Sequence, residues 1–338
     1  MVETTEARQH MNHRTLGTID SVSEIGYGSW EIGGDWGDVS SAEAQQAVKT
    51  ARESGVDFFD TADVYGDGRS ERILGDVLRE DIDSSDVTVA TKAGRRLDPH
   101  TTEGYTEANL RRFVDRSREN LGVGALDLLQ LHCPPTDVYY RPSVFGALDT
   151  LCDEGRIERY GVSVERVEEG LKSIMYPGVE SVQIIFNPFR QRPAELFFEE
   201  AAARDVGVIV RVPLASGLLT GTLSRETEFA ENDHRNYNRE GEAFDVGETF
   251  AGVPYEVGLD AVDALTEHVP AELSLAQFSL RWILDHEAVS TVIPGSTTPE
   301  HIRANAAVSD LDPLGVDAHE AVEAVYEKYV HEHVHHRW

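Results

Sequence analysis

Four side chains in this sequence could pass a proton among themselves: a carboxylate, a phenol, an ammonium and an imidazole. Asp60 closes the run Phe58-Phe59-Asp60-Thr61-Ala62, and Tyr65 follows five residues after it. Lys92 closes Val89-Ala90-Thr91-Lys92, and His132 closes Leu129-Gln130-Leu131-His132. A tyrosine with an ordinary pKa of ~10 is a poor acid near neutrality until a cation steadies its anion. Lys92 could supply that charge, Asp60 could hold the ammonium in position, and a neutral His132 could donate a hydrogen bond to a substrate oxygen that gains charge. Such a set protonates an alkoxide as hydride arrives at carbon. The pairing of Asp60 with His132 also invites a divalent-metal reading, because many barrels bind ions through carboxylates and histidines. An ammonium in the same cluster argues against it, since it repels the ion.

These residues meet only if the runs carrying them are neighbouring strands. Eight short β-branched runs recur along the chain: Val22 to Gly28, Val56 to Phe59, Val87 to Ala90, Leu126 to Leu131, Tyr160 to Val164, Val182 to Phe186, Val208 to Val212 and Val289 to Ile293. Helical periodicity fills the gaps. Ala44, Ala47, Val48 and Ala51 share one helix face; Ser40 and Glu43 have capping-box spacing before them, and Gly55 stands where a left-handed residue would close the helix. Ile73, Leu74, Val77 and Leu78 form a second stripe, and Leu110, Phe113, Val114, Ser117 and Leu121 a third.

Strands interleaved with helices predict right-handed βαβ units and an α/β fold, a (β/α)8 TIM barrel. The reading is a single domain over residues 1–338 with its core over about 16–310, a long polar loop at 222–255 after the seventh strand, and a C-terminal helix and tail at 311–338. In such a barrel the site lies at the C-terminal strand ends, where Asp60, Lys92 and His132 stand. An open doubly wound sheet would carry G-x-G-x-x-G at its first turn, whereas Gly26-Tyr27-Gly28-Ser29-Trp30 lacks the third glycine and the helix.

Composition narrows the classes of partner. Of 338 residues 61 are Asp or Glu and 30 are Lys or Arg, a formal charge of −31, which is the wrong sign for a nucleic-acid protein. Only four of the cations are Lys, and the acids are scattered along the chain rather than gathered in a tail, a pattern expected of a halophilic protein with an acidic proteome. No run of ~18 apolar residues offers a membrane span. Met1 to Arg14 lacks an apolar signal region, and the two cysteines, Cys133 and Cys152, suit a reduced interior, so a cytoplasmic location is expected. Within the long loop, Asp233 to Arg239 reads either as a solvated segment or as a lid over an anionic ligand. His331, His333, His335 and His336 match no compact metal motif and read as a terminal segment packed through Trp338.

Asp60-Thr61-Ala62-Asp63-Val64-Tyr65-Gly66, Ala90-Thr91-Lys92 and Leu128-Leu129-Gln130-Leu131-His132 resemble, in order and spacing, the aldo-keto reductases. The resemblance continues through Gly161-Val162-Ser163, Val182-Gln183 with Asn187-Pro188, the run from Pro213 to Gly221, and Ile293-Pro294-Gly295-Ser296 with Asn305. It implies an oxidoreductase that uses NADP or NAD, without metal, to reduce an aldehyde or ketone or to oxidise the matching alcohol, with Tyr65 as general acid and Asp60, Lys92 and His132 completing the tetrad. Ser163 and Gln183 would hold the nicotinamide carboxamide. Pro213, Leu214, Ser216 and Leu218 would contact the pyrophosphate, and Gly295, Ser296, Thr297, His301 and Asn305 would surround the adenosine half. Gly28, Ser29 and Trp30 join the cofactor contacts. Arg211 takes a place where relatives commonly stack an aromatic ring on the nicotinamide, Val164 a place where they often have Asn, and Gly295 to His301 lacks the Lys or Arg that commonly grips a 2′-phosphate. The partner expected is a small carbonyl or alcohol, with no nucleic acid and no membrane; oligomeric state is not legible. Two other classes stay open on the same barrel: a cofactor-sensing partner subunit, similar to channel-associated members, and a metal-dependent sugar isomerase or epimerase.

Overall fold

In the computed structural model, which describes residues 11–34, 38–80 and 86–338, eight parallel strands stand side by side in the order of the chain. An antiparallel hairpin, β1 (His13–Leu16) and β2 (Ile19–Ser23), precedes them. The wall then comprises β3 (Tyr27–Gly28), β4 (Phe58–Asp60), β5 (Thr88–Ala93), β6 (Leu128–His132), β7 (Tyr160–Ser163), β8 (Val179–Ile185), β9 (Gly207–Arg211) and β10 (Val289–Val292). The amide of Gly26 donates to the Val292 carbonyl at 2.8 Å and the amide of Val292 to the Glu24 carbonyl at 2.9 Å, which joins the last strand to the first and closes the (β/α)8 barrel. Of the N-terminal stretch read above, residues 1–10 lie outside those described.

The first expected strand requires correction. Val22 to Gly28 is not one strand: Val22 ends up in β2, and only Tyr27–Gly28 enters the wall. Between them Glu24 is buried and held by Arg14 and Ser309, each at 2.8 Å, so the chain turns there from the hairpin into the barrel. Leu16 and Val22 of the hairpin are buried with Phe58, Ala90, Leu128 and Ile209 from inside the wall, and so seal the end where the strands begin. Seven of the eight runs become strands near their expected positions because each is buried on both faces, as parallel strands between helices must be.

Helices form where periodicity placed them. Ser41–Glu53 buries Ala44, Ala47, Val48 and Ala51; its cap is reciprocal, with Glu43 N donating to Ser40 Oγ and Ser40 N to Glu43 Oε2, and Gly55 follows at φ 90°. Glu107–Leu121 buries Leu110, Phe113, Val114, Ser117 and Leu121. The stretch 222–255 is not structureless, for it contains the short turns His234–Tyr237, Val246–Glu248 and Phe250–Gly252. No helix among the described residues is long and apolar enough to cross a membrane.

Candidate active site

Side chains alternate across a strand, so one inward residue fixes the direction of the next but one. Phe58, Ala90, Leu128 and Ile209 fill the barrel interior, while Phe59, Leu129, Leu131 and Val210 belong to the core between strands and helices. Two residues on from the first set, at the C-terminal ends, stand Asp60, Lys92, Gln130 and Arg211, and His132 is two beyond Gln130. The alternation therefore aims the ionisable residues inward in the layer above an apolar plug.

Lys92 is 1% exposed, and a lysine is buried this deeply only when its charge is paired. Its Nζ donates to Asp60 Oδ2 at 2.5 Å, to the Thr61 carbonyl at 2.8 Å and to Tyr65 Oη at 3.3 Å. The other carboxylate oxygen of Asp60 accepts from Gln183 Nε2 at 2.7 Å and Gln130 Nε2 at 3.2 Å. Burial alone would lower the Lys92 pKa, but Asp60 and Tyr65 outweigh it and raise it, so the ammonium stays charged. Burial raises the Tyr65 pKa, with Lys92 opposing. The His132 ring meets Tyr65 edge-on at 5.9 Å, and burial together with Arg95 and Lys92 holds its pKa well below the usual histidine value. Neutral imidazole is thus the resting form. Trp30 stacks nearly parallel to Tyr65, with ring centroids 6.1 Å apart.

A cavity of about 550 Å³ opens over this cluster and runs along the strand ends. Asp60, Tyr65 and His132 line it, as do Gly28, Ser29, Trp30, Gln183, Arg211, Pro213, Leu214, Ser216, Gly295, Ser296, Thr297, His301 and Asn305. The structure therefore brings all but three of the residues singled out in the sequence to one surface. Lys92 lies just beneath it. Ser163 is buried against Cys133 and Gln183, and Leu218 is packed in the core, so neither side chain reaches the cavity wall. Val212, Ala215, Ser216 and Gly217 have φ of 51°, 47°, 52° and 98°, a run of left-handed backbone at the edge of the cavity.

Several residues escaped the sequence reading. Gln130 steadies Asp60, and its place as an inward position between Leu129 and Leu131 was the available signal. Arg95, Glu165 and Glu248 form with Arg211 a buried ionic cluster: Arg95 bonds Glu248 at 2.5 Å and Glu165 at 3.1 Å, and Arg211 bonds Glu165 at 2.9 Å. Burial and the charge of Glu248 raise the Glu165 pKa, whereas at Glu248 burial is outweighed by Arg95 and Arg211 and the carboxyl stays ionised. Ligand atoms of Cys133, Glu165 and Glu248 come within 4.8 Å of one another, a spacing that suits an ion, yet the two guanidiniums already neutralise them. Arg211 also donates to the Val164 carbonyl at 3.0 Å, so its guanidinium faces this cluster. Glu248 comes from the long loop, where no spacing could have pointed to it.

The long loop closes one side of the cavity. His234 packs on Trp30 at 4.6 Å, Arg235 reaches the lining, and Ser216 Oγ donates to the Glu248 carbonyl while accepting from Phe250 N. Arg239 instead lies over the rings of Phe229 and Tyr255, away from the cavity.

This architecture recurs in proteins already known. The chain is 30% identical over 301 residues to the uncharacterized oxidoreductase YqkF of Bacillus subtilis, covering 87% of this chain and 90% of that protein. It is 26% identical to an NADH-specific methylglyoxal reductase of Escherichia coli, covering 90% and 95% of the two chains. Among solved structures, the holo form of an aldo-keto reductase from Bacillus halodurans superposes with a TM-score of 0.75 at 26% identity, covering 94% of this chain and 96% of that one. The model of the aldo/keto reductase family matches residues 24–327, nearly the whole barrel. The chain belongs to the aldo/keto reductase family and is an NAD(P)-dependent oxidoreductase.

Proposed function

We propose that this protein reduces an aldehyde or ketone to the alcohol, or runs the reverse reaction, with Tyr65 as general acid. The observation that carries the reading is the buried chain Asp60–Lys92–Tyr65, ending in a phenol that lines the cavity beside a neutral histidine. A dinucleotide fits the groove: it is long, Gly28 and Gly295 line it without side chains, and the positive-φ turn at 212–217 brings backbone to its edge. Gly28 to Trp30, Gln183, Pro213 to Ser216 and Gly295 to Asn305 would hold the cofactor, which when bound supplies or accepts the hydride.

The chain's own residues handle the proton. His132 donates to the carbonyl oxygen and polarises it, as the neutral imidazole that burial and the neighbouring cations maintain. Tyr65 then gives its phenolic proton to that oxygen, and the Lys92 ammonium steadies the phenolate left behind. Asp60, fixed by Gln130 and Gln183, keeps Lys92 from swinging away. Ser163 and Leu218 act from behind the wall by supporting Gln183 and the 213–221 turn. A relative named for methylglyoxal reduction makes small reactive aldehydes the first substrates to test.

Substitution of Tyr65 by Phe tests the mechanism. Cofactor binding persists and turnover falls by roughly three orders of magnitude or more; retained turnover would remove Tyr65 from the acid role. The loop around Arg235 serves as a lid, so its deletion weakens cofactor affinity. The acidic, lysine-poor surface serves a cytoplasm rich in salt, where screening suppresses self-repulsion.

A further inference from the structure

The two ends of the cavity differ in charge. Along its Gly295–Asn305 end no Lys or Arg is among the described lining residues. The two guanidiniums that do reach the lining are already paired, Arg211 with Glu165 and Arg235 with Asp233 through two nitrogens at 2.6 and 3.0 Å. What faces the Gly295–Thr297 segment is a carboxylate. Glu31, from the short helix Trp30–Gly33, lines the cavity, where the Thr297 backbone favours the charged form of its carboxyl. Its Oε1 stands 3.9 Å from where a Cβ on Gly295 would be, and that Cβ would come within 2.9 Å of the Gly28 carbonyl. Position 295 therefore cannot carry a cationic side chain over the groove without prying the strand seam apart, and Glu31 is the charged side chain beside it.

We propose, resting on the reading that this cavity holds a nicotinamide dinucleotide, that the site selects NAD(H) over NADP(H), with Glu31 as the discriminating residue. A 2′-phosphate adds close to two negative charges that need cationic partners; at this end it would face a carboxylate, and the guanidinium that acts on that carboxylate, Arg235, is already engaged by Asp233. A ribose hydroxyl is neutral and can donate to a carboxylate, so the same side chain tolerates one nucleotide and repels the other. Burial pushes the Glu31 carboxyl up to about 7, with Arg235 and the Thr297 backbone opposing. The protein's charge of −31 adds to the penalty for the more anionic nucleotide.

Separate titrations of NADH and NADPH into the folded protein, followed by quenching of tryptophan fluorescence, test this directly, because Trp30 lines the cavity. NADH should bind at least about tenfold tighter than NADPH, and Glu31→Gln should tighten NADPH by about tenfold while changing NADH by less than about threefold. Equal or tighter NADPH binding by the unaltered protein overturns the preference. A ratio unchanged in Glu31→Gln, and in Glu31→Ala as a second variant, overturns the assignment to Glu31. Binding of neither nucleotide by protein with native circular dichroism overturns the dinucleotide reading itself, an outcome distinct from the other two.

Discussion

At Tyr65 burial and the adjacent ammonium pull in opposite directions, and burial wins. The phenol therefore stays protonated through the neutral range and is ready to donate. At His132 burial and three neighbouring cations, Arg95, Lys92 and Arg211, act together against protonation. A group whose pKa is depressed in this way keeps its neutral form down to pH values well below the ordinary histidine range. The turnover number for carbonyl reduction should consequently hold level as pH falls from about 8 to about 5.5. A pH–rate profile with an inflection near 6.5 would show that His132 titrates freely and that its hydrogen-bonding role does not rest on burial.

The elements act on the site through their seams. β3 and β10 meet where Gly28 and Gly295 face one another, and a Cβ on Gly28 would stand 2.7 Å from the Ile293 carbonyl. Backbone cannot yield there as a flexible side chain would. Gly28→Ala should thus cost about 1–3 kcal/mol of stability by forcing the seam open, read as a lower midpoint in urea, and should weaken cofactor binding at the same time. An unchanged midpoint would mean that the barrel closes less tightly than its hydrogen bonds indicate. The strands on the other side, β4 to β6, contribute by alternation alone: each delivers a polar residue into the interior two positions after an apolar one.

Over the whole molecule, the long loop is fastened from outside the barrel. Trp338 is buried, donates from Nε1 to Asp245 at 2.9 Å, and takes the Arg190 guanidinium over its ring at 3.9 Å. A Cβ on Gly252 would strike that ring at 2.5 Å, so loop and C-terminal segment are fitted to each other. Trp338→Ala should cost about 3–5 kcal/mol and should speed proteolytic nicking within 222–255; equal cleavage rates would separate the tail from the loop. His335 pairs with Tyr326 and Glu195, and His331 stacks on His335, so these two histidines tie this segment to its neighbours. The adaptation to salt proposed for the surface predicts a thermal midpoint that rises from low to molar KCl. A midpoint that stays flat would leave the charge of −31 without that explanation.

Much of the site was legible in the residues alone. Strand-end positions for Asp60, Lys92 and His132 follow from a period of two and a run length, and helix stripes and caps follow from a period of 3.6; both are local properties of a chain. Local patterns also located most of the cavity lining, because motif and strand end coincide. They could not divide Val22 from Tyr27, since the turn between them is held by the bonds of Arg14 and Ser309 to the buried Glu24. Nor could they bring Glu248, Glu31 or Trp338 to the site or its loop, for these contacts span from tens of residues to more than a hundred and depend on which loops cross above the barrel. The chemistry of the proton was written in neighbouring strands, whose adjacency a parallel sheet guarantees. The electrostatic character of the groove arose only when distant loops folded over it, because charge acts through space and not along the sequence.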